Sequence, residues 1–208
     1  MDPLSRPDSL GSDVSSRANR RGGGWLLQKD RTENWAWADV FTKEECASII
    51  ALAKHNEIIK GETISKKRNN ERLSNVSFLF PSMANEWVFQ KVTETVHAIN
   101  RYFKFDLYSL EEGIQFTEYV APSGNYNWHV DCGPQVSIRK LSISIQLTDP
   151  DDYEGGELEL NYGVKPQVMD KVQGRAVGFP SYTLHRVAPV TAGVRHSLVI
   201  WVSGPPFK

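Results

Sequence analysis

The chain has 208 residues, 24 Lys and Arg against 25 Asp and Glu, and 40% hydrophobic residues. That is enough apolar material for one sizeable core, and the formal net charge of -1 does not make nucleic acid or an anionic membrane a default partner. Two cysteines, Cys46 and Cys132, exclude a disulfide framework, and no apolar run approaches the ~18 residues of a membrane span.

Residues 1–24 are Ser, Arg, Asp and Gly with almost no large apolar side chain, so they cannot bury enough surface to offset chain entropy. A disordered tail is expected there. A basic RNA-binding arm is the alternative, but three aspartates offset its four arginines. The segment has no apolar h-region of a secretory signal. With the cysteine content, this sets the expected location as cytoplasmic, or the host cytoplasm if the protein is viral.

One domain is expected over residues 25–208. Residues 34–40 read as an early strand. Thr42 can cap a helix, with Glu45 at the third position reaching back and Phe41 placed to staple onto Cys46. That helix runs to about His55 and carries Cys46, Ile49, Ile50 and Ala53 on one face. His55 reads as exposed and Cys46 as core. Residues 60–75 form a polar, basic stretch that includes Arg72: a solvated loop on one reading, a flap over substrate on the other. Residues 76–80 then read as a strand. Asn85 and Glu86 open a second helix of about 17 residues, in which Val88, Val92, Val96, Ile99 and Phe103 make an apolar stripe. His97 lies beside that stripe and reads as surface.

After Phe105 the periodicity changes to short β-rich runs between turn residues: 112–120, 125–131, 140–148, 156–160, 164–169, 175–179, 184–188 and 194–202. The expected class is therefore α+β, mainly β, with a double-sheet jelly roll or barrel as core and the two N-terminal helices supporting one sheet.

Three histidines remain for chemistry. In a strand, His129 and Asp131 point the same way and can hold one metal ion, with Val130 facing away. The same alternation turns Cys132 away from Asp131, toward packing. In the last strand Arg195, Ser197, Val199 and Trp201 share one face, and His196, Leu198 and Ile200 share the other, so Arg195 and His196 cannot both face the interior. An interior arginine requires an anion, because a buried unpaired charge is very costly; a surface arginine requires nothing. On the interior option, His129, Asp131 and His185 make two imidazoles and one carboxylate, a facial set that leaves three positions of an octahedral Fe(II) open. The planar fork of Arg195 suits a carboxylate. A ligand that is both chelator and dianion fits this set, and 2-oxoglutarate is such a ligand.

With these residues the chain resembles the Fe(II)/2-oxoglutarate-dependent dioxygenases, in their prolyl 4-hydroxylase-like branch of bacterial and phage-type hydroxylases. The likeness covers about residues 37–203. It rests on His129-x-Asp131, His185 fifty-four residues on and Arg195 ten further. Tyr119 and Tyr126 lie ten and three residues before His129, and Gly155-Gly156 resembles the family's turn between strands. The resemblance implies a double-stranded β-helix at about 112–203. It implies iron on His129, Asp131 and His185, and 2-oxoglutarate on Arg195 and Tyr119, with Gln146 as a further cosubstrate contact. Trp201, Tyr126 and Arg72 would line the pocket or meet substrate. It further implies O2 as second cosubstrate, ascorbate as reductant, and hydroxylation of a C–H bond, with a prolyl residue of a peptide or protein as the expected target. Oxidation of a nucleic-acid base or a small molecule is the alternative, although the second arginine that dealkylating members carry six residues after the first is Trp201 here. A third possibility is a non-catalytic binding module on the same fold. The acidic turn Asp149, Asp151 and Asp152 reads as solvated.

Overall fold

The computed structural model describes residues 34–61 and 72–207. The expected N-terminal tail, residues 25–33 and the greater part of the basic loop at 60–75 lie outside them. The chain begins with β1 (Ala36–Asp39), α1 (Lys43–Lys54), β2 (Ile59–Lys60), β3 (Arg72–Leu73), β4 (Asn75–Leu79) and α2 (Glu86–Phe103). Nine strands follow: β5 (Ile114–Val120), β6 (Asn125–His129), β7 (Arg139–Gln146), β8 (Tyr153–Gly155), β9 (Leu158–Asn161), β10 (Gln167–Val168), β11 (Arg175–Pro180), β12 (Leu184–Val187) and β13 (Val190–Ser203).

Both helices form where the sequence places them. Thr42 Oγ1 accepts from the Glu45 N–H at 3.3 Å and Glu45 Oε2 accepts from the Thr42 N–H at 2.9 Å, closing a capping box. Lys91 of α2 then donates to the same Glu45 carboxylate at 2.6 Å, which ties the two helices together. α2 ends at Lys104, the one non-glycine residue among those described with a left-handed backbone.

The strands form two antiparallel sheets. The larger runs β1-β11-β7-β13-β5-β4-β2, with β8 paired to one end of β13, and the smaller runs β10-β9-β12-β6-β3. The helices pack on the outer face of the larger sheet. Ile49 and Ala53 from α1 and Val88, Val92 and Ile99 from α2 meet Phe116, Ile143, Ile145, Leu198 and Ile200 in one apolar cluster. α2 lies so close to β11 that a Cβ at Gly178 would stand 2.6 Å from Ile99 Cγ2. The expected Phe41 and Cys46 contact becomes common membership of this cluster, with Phe41 edge-on to Trp87 at 5.9 Å. His55 and His97 are exposed, as expected. Among the described residues no helix is long and apolar enough to cross a membrane.

Several boundaries differ from expectation, each for a local reason. The run 125–131 stops as a strand at His129, because the N–H groups of Asp131 and Cys132 leave the ladder and both donate to Ser181 O. The run 164–169 shrinks to Gln167–Val168, the only two residues paired to β9. The three-residue β8 is additional; it pairs only with β13 and has too few residues to show alternation. The last strand begins earlier than expected, at Val190, because it pairs β8 before it reaches β5 and β7.

Candidate functional site

Two neighbouring strands of the smaller sheet bring the histidines together. His129 of β6 and His185 of β12 are direct cross-strand partners, with ring centroids 4.1 Å apart. Asp131 arrives from beyond the end of β6. Its backbone hangs on Ser181, and its side chain crosses to the larger sheet, where Ser142 Oγ of β7 donates to Oδ2 at 2.7 Å. The His129 and His185 Nε2 atoms then lie 3.6 Å and 3.5 Å from the carboxylate oxygens of Asp131. One ligand atom from each of the three residues lies within 4.8 Å of the others, so the set could hold one metal ion.

Both imidazoles are oriented by backbone. His129 Nδ1 lies 2.7 Å from Asn127 O and His185 Nδ1 lies 2.8 Å from Thr183 O. A carbonyl can only accept, so each Nδ1 carries a hydrogen and each Nε2 is left facing Asp131. Burial, reinforced by the adjacent His185, pushes His129 down to about 3, which leaves a neutral imidazole at ordinary pH. Burial alone would raise the Asp131 carboxyl, but the two imidazoles and the Ser142 hydroxyl outweigh it and hold the carboxyl below its usual range. A neutral imidazole and an ionised carboxylate are the forms that ligate a metal.

These side chains wall a cavity of about 440 Å³ whose lining also includes Arg72, Tyr119, Tyr126 and Trp201. Tyr126 stacks on His129 at 3.4 Å between centroids, and the Arg72 guanidinium lies 4.7 Å over the Tyr126 ring. Burial raises the Tyr119 hydroxyl and pushes Tyr126 to about 12, so both phenols stay protonated and able to donate. Ser144 and Leu158 are shared with an adjoining cavity of about 280 Å³, and Arg195 and Gln146 line that second space. The nine candidate site residues therefore line two adjoining cavities that share Ser144 and Leu158.

Strand alternation resolves the choice between Arg195 and His196. Arg195 is 3% exposed and faces the hollow, with its guanidinium 5.4 Å from the Tyr119 ring and Nη1 donating to Ser197 Oγ at 3.3 Å. His196 faces the helices, stacked on Phe116 and held between Thr148 Oγ1 and Glu118 Oε2. Among the described residues no carboxylate pairs with Arg195, and its Nε is buried without a hydrogen-bond partner. A buried guanidinium in that condition calls for an anion. The residues therefore fit both an Fe(II) on the two imidazoles and the carboxylate and a dianionic chelator reaching from it to Arg195.

Four residues near the site were not foreseen. Ser142 and Ser181 hold the Asp131 loop; the alternation Leu141, Ser142, Ile143, Ser144, Ile145, Gln146 marks a polar strand face that could have pointed to Ser142. Arg139 donates to both oxygens of Glu112, to Asp131 O at 3.3 Å, and lies 3.8 Å over the Trp201 ring. Tyr153 sits behind the Gly-Gly turn, where its hydroxyl accepts from Gln146 Nε2 at 3.0 Å. Arg139 meets Glu112 at a sequence distance of 27 residues and carries no local signal, whereas Tyr153 lies only 7 residues from Gln146.

A mainly β fold with two helices, antiparallel sheets and a two-histidine, one-carboxylate cluster on a cavity wall defines a class of non-haem metal sites. Residues 114–203 match the family model of the 2OG-Fe(II) oxygenase superfamily, whose members use Fe(II), 2-oxoglutarate and O2. The chain is similar to a PKHD-type hydroxylase of Teredinibacter turnerae, 40% identical over 85 residues; the aligned stretch is 38% of this chain and 38% of the length of that relative. A PKHD-type hydroxylase of Colwellia psychrerythraea is 29% identical over 175 residues, covering 78% of this chain and 74% of the relative. The fold is shared with a prolyl-4-hydroxylase of Pseudomonas putida at a TM-score of 0.66, over 84% of this chain and 94% of that one, with 22% identity.

Proposed function

We propose that the protein is an Fe(II)- and 2-oxoglutarate-dependent dioxygenase that hydroxylates a C–H bond, with a prolyl residue of a peptide or protein as its substrate. The observation that carries this is the convergence of His129, Asp131 and His185 on one point of a cavity wall, within 4.8 Å, in a hollow that continues to a buried Arg195. In this reading the two sheets are the halves of a double-stranded β-helix, and residues 25–208 act as one domain.

Bound Fe(II) and 2-oxoglutarate supply the oxidation: one oxygen atom of O2 enters the substrate C–H bond and the other enters the succinate released with CO2. The chain's own part is placement. His129 and His185 offer Nε2, fixed by the carbonyls of Asn127 and Thr183. Asp131 offers its carboxylate, one oxygen of which Ser142 steadies. Arg195, with Tyr119 beside it, takes the far carboxylate of 2-oxoglutarate. Leu158, Phe179 and Val199 line the hollow with apolar surface, which keeps water from the reacting centre. Tyr126 and Arg72, stacked in turn on His129, form the wall that a peptide would meet.

The proposal is tested by incubating proline-containing peptides with protein, Fe(II), 2-oxoglutarate and ascorbate, and reading mass spectra for the gain of one oxygen atom. Oligonucleotides run in parallel test the nucleic-acid alternative. Arg195→Ala is expected to lose 2-oxoglutarate binding and retain iron. Absence of 2-oxoglutarate turnover by the iron-loaded protein, or unchanged cosubstrate affinity in Arg195→Ala, would overturn the reading.

A further inference from the structure

The turn after β4 carries apolar surface that neither the core nor the proposed site uses. Phe80 is 64% exposed and Met83 is 99% exposed. Phe80 is the most exposed large aromatic side chain among the described residues. Leu79 beside it is buried in the helix-side core, so alternation gives Phe78 and Phe80 the other face. Large apolar side chains left in water within one turn forgo the gain of burial and mark a surface that something covers. The patch is also held still. Asn85, only 6% exposed, donates from Nδ2 to Phe80 O at 2.9 Å and accepts the Ser82 N–H on Oδ1 at 2.8 Å. Phe80 stacks on Phe78, with centroids 6.4 Å apart and 27° between the planes. Its ring edge lies against Gly113, where a Cβ would stand 2.9 Å from Phe80 Cε1, so a side chain there would push the ring away. A ring fixed before contact loses little entropy on contact, which is the property of an anchor.

Its place in the fold points to the occupant. Phe78 stands directly opposite Gln115 in the β4–β5 register, and such partners share a face of the sheet. Gln115 lines the cavity that holds His129, Asp131 and His185. From Gln115 the Phe80 ring is one strand across and two residues back along β5, roughly 9 Å at ordinary strand spacings. The cavity wall therefore runs outward into this platform. A chain whose reacting residue enters the cavity would pass over Phe80 some three to five residues away, at about 3.3 Å per extended residue. A free amino acid in the cavity would leave the platform bare.

We infer that Phe80 and Met83 form a docking site for an apolar side chain of the polypeptide substrate, about three to five residues from the residue that is oxidised, and that this contact selects the substrate. This rests on the proposed oxygenase reading and deepens it: the substrate is an extended polypeptide, and its sequence is read at a second position away from the reacting centre.

The test uses the full chain with Fe(II), 2-oxoglutarate and ascorbate, and a library of peptides with one central proline and every other position randomised. Products that gain one oxygen atom are sequenced. The wild type is expected to enrich Phe, Leu, Met or Trp at one fixed position about three to five residues from the hydroxylated proline. Phe80→Ser is expected to lose that enrichment and to lower kcat/KM about tenfold for the enriched peptides through KM, with kcat and 2-oxoglutarate affinity unchanged. Calorimetric binding of an enriched peptide, which needs no turnover, should weaken by the same factor. A peptide with serine at the enriched position should be turned over equally by both proteins. Met83→Ser, at a side chain that is 99% exposed, is expected to show a smaller loss of the same kind, and it reads the contact if Phe80→Ser does not fold. Enrichment that survives Phe80→Ser, or no apolar enrichment at that distance in the wild type, overturns the inference and leaves the oxygenase reading standing. So does a concentration-dependent dimer in sedimentation that Phe80→Ser abolishes, which would assign the patch to a second copy of the chain. A wild-type protein that oxidises no peptide overturns the prolyl reading and the inference with it.

Discussion

The two faces of the large sheet are built by the same three central strands and do opposite work. On the helix side β5, β13 and β7 present Phe116, Leu198, Ile200, Ile143 and Ile145, all fully or almost fully buried. On the cavity side the intervening positions are Gln115, Thr117, Tyr119, Arg195, Ser197, Ser142, Ser144 and Gln146. Register keeps the layers matched: Arg195 stands opposite Tyr119, Ser197 opposite Thr117 and Gln146, and Trp201 opposite Ser142. An apolar face gains from any close packing, whereas a buried polar face is tolerated only where each group finds a partner. Gln115 bonds Thr117 at 2.8 Å, yet Arg195 Nε and Trp201 Nε1 find none. Among the described residues these are the buried side-chain donors left over on the three strands, and both are on the cavity face. The contrast teaches that one face holds the fold and the other keeps buried donors that the described residues do not satisfy.

The sharpest way to break the contrast is to remove one of the three clustered side chains from the cavity side. His185→Ala is expected to lower metal affinity more than ~100-fold, beyond what loss of an outer partner costs, while thermal stability changes little. Metal titration with a parallel melt checks it; retained affinity would remove His185 from the metal site. The mirror experiment is Leu198→Ala on the helix face, where the buried cavity left behind is expected to cost about 2–5 kcal/mol by urea denaturation. Its folded fraction should bind metal as the wild type does, and a comparable loss of affinity would show that the two faces are not separable.

Smaller effects sharpen the comparison. Ser142→Ala leaves one Asp131 oxygen without its 2.7 Å donor and is expected to cost about 10–100-fold in metal affinity, with no matching loss of stability. An unchanged affinity would make Ser142 mere lining. The smallest expected effect concerns His196, the polar exception on the helix face. Burial lowers its pKa below the ordinary 6.5, although Glu118 opposes this. As pH falls through 6.5 the unfolded chain takes up a proton on this residue and the folded chain does not, so stability falls with pH from there down to the folded pKa. His196→Gln should show a shallower stability slope below pH 6.5 than the wild type. Equal slopes would mean that His196 does not titrate differently on folding.

Much of the site was legible along the chain because it obeys short-range rules. Strand alternation separates Arg195 from His196 whatever the fold, and the capping box at Thr42 and Glu45 needs only four residues. Asp131 lies beside the two histidines for a reason that alternation does not supply: the strand stops at His129, and Ser181 rather than the ladder holds the Asp131 backbone. Arg139 on Glu112 was illegible because the pairing joins segments whose meeting depends on sheet order.

From its own residues the chain determines the helices, the alternating strands and the set of candidate metal-ligating and anion-binding side chains, since periodicity and side-chain chemistry are local. The packing of two sheets alone decides that His129 and His185 become cross-strand neighbours and that Ser142 reaches Asp131. It also leaves the Arg195 guanidinium buried without a counter-ion among the described residues. Distances across a fold come from register and layer contact, and no run of residues encodes these by itself.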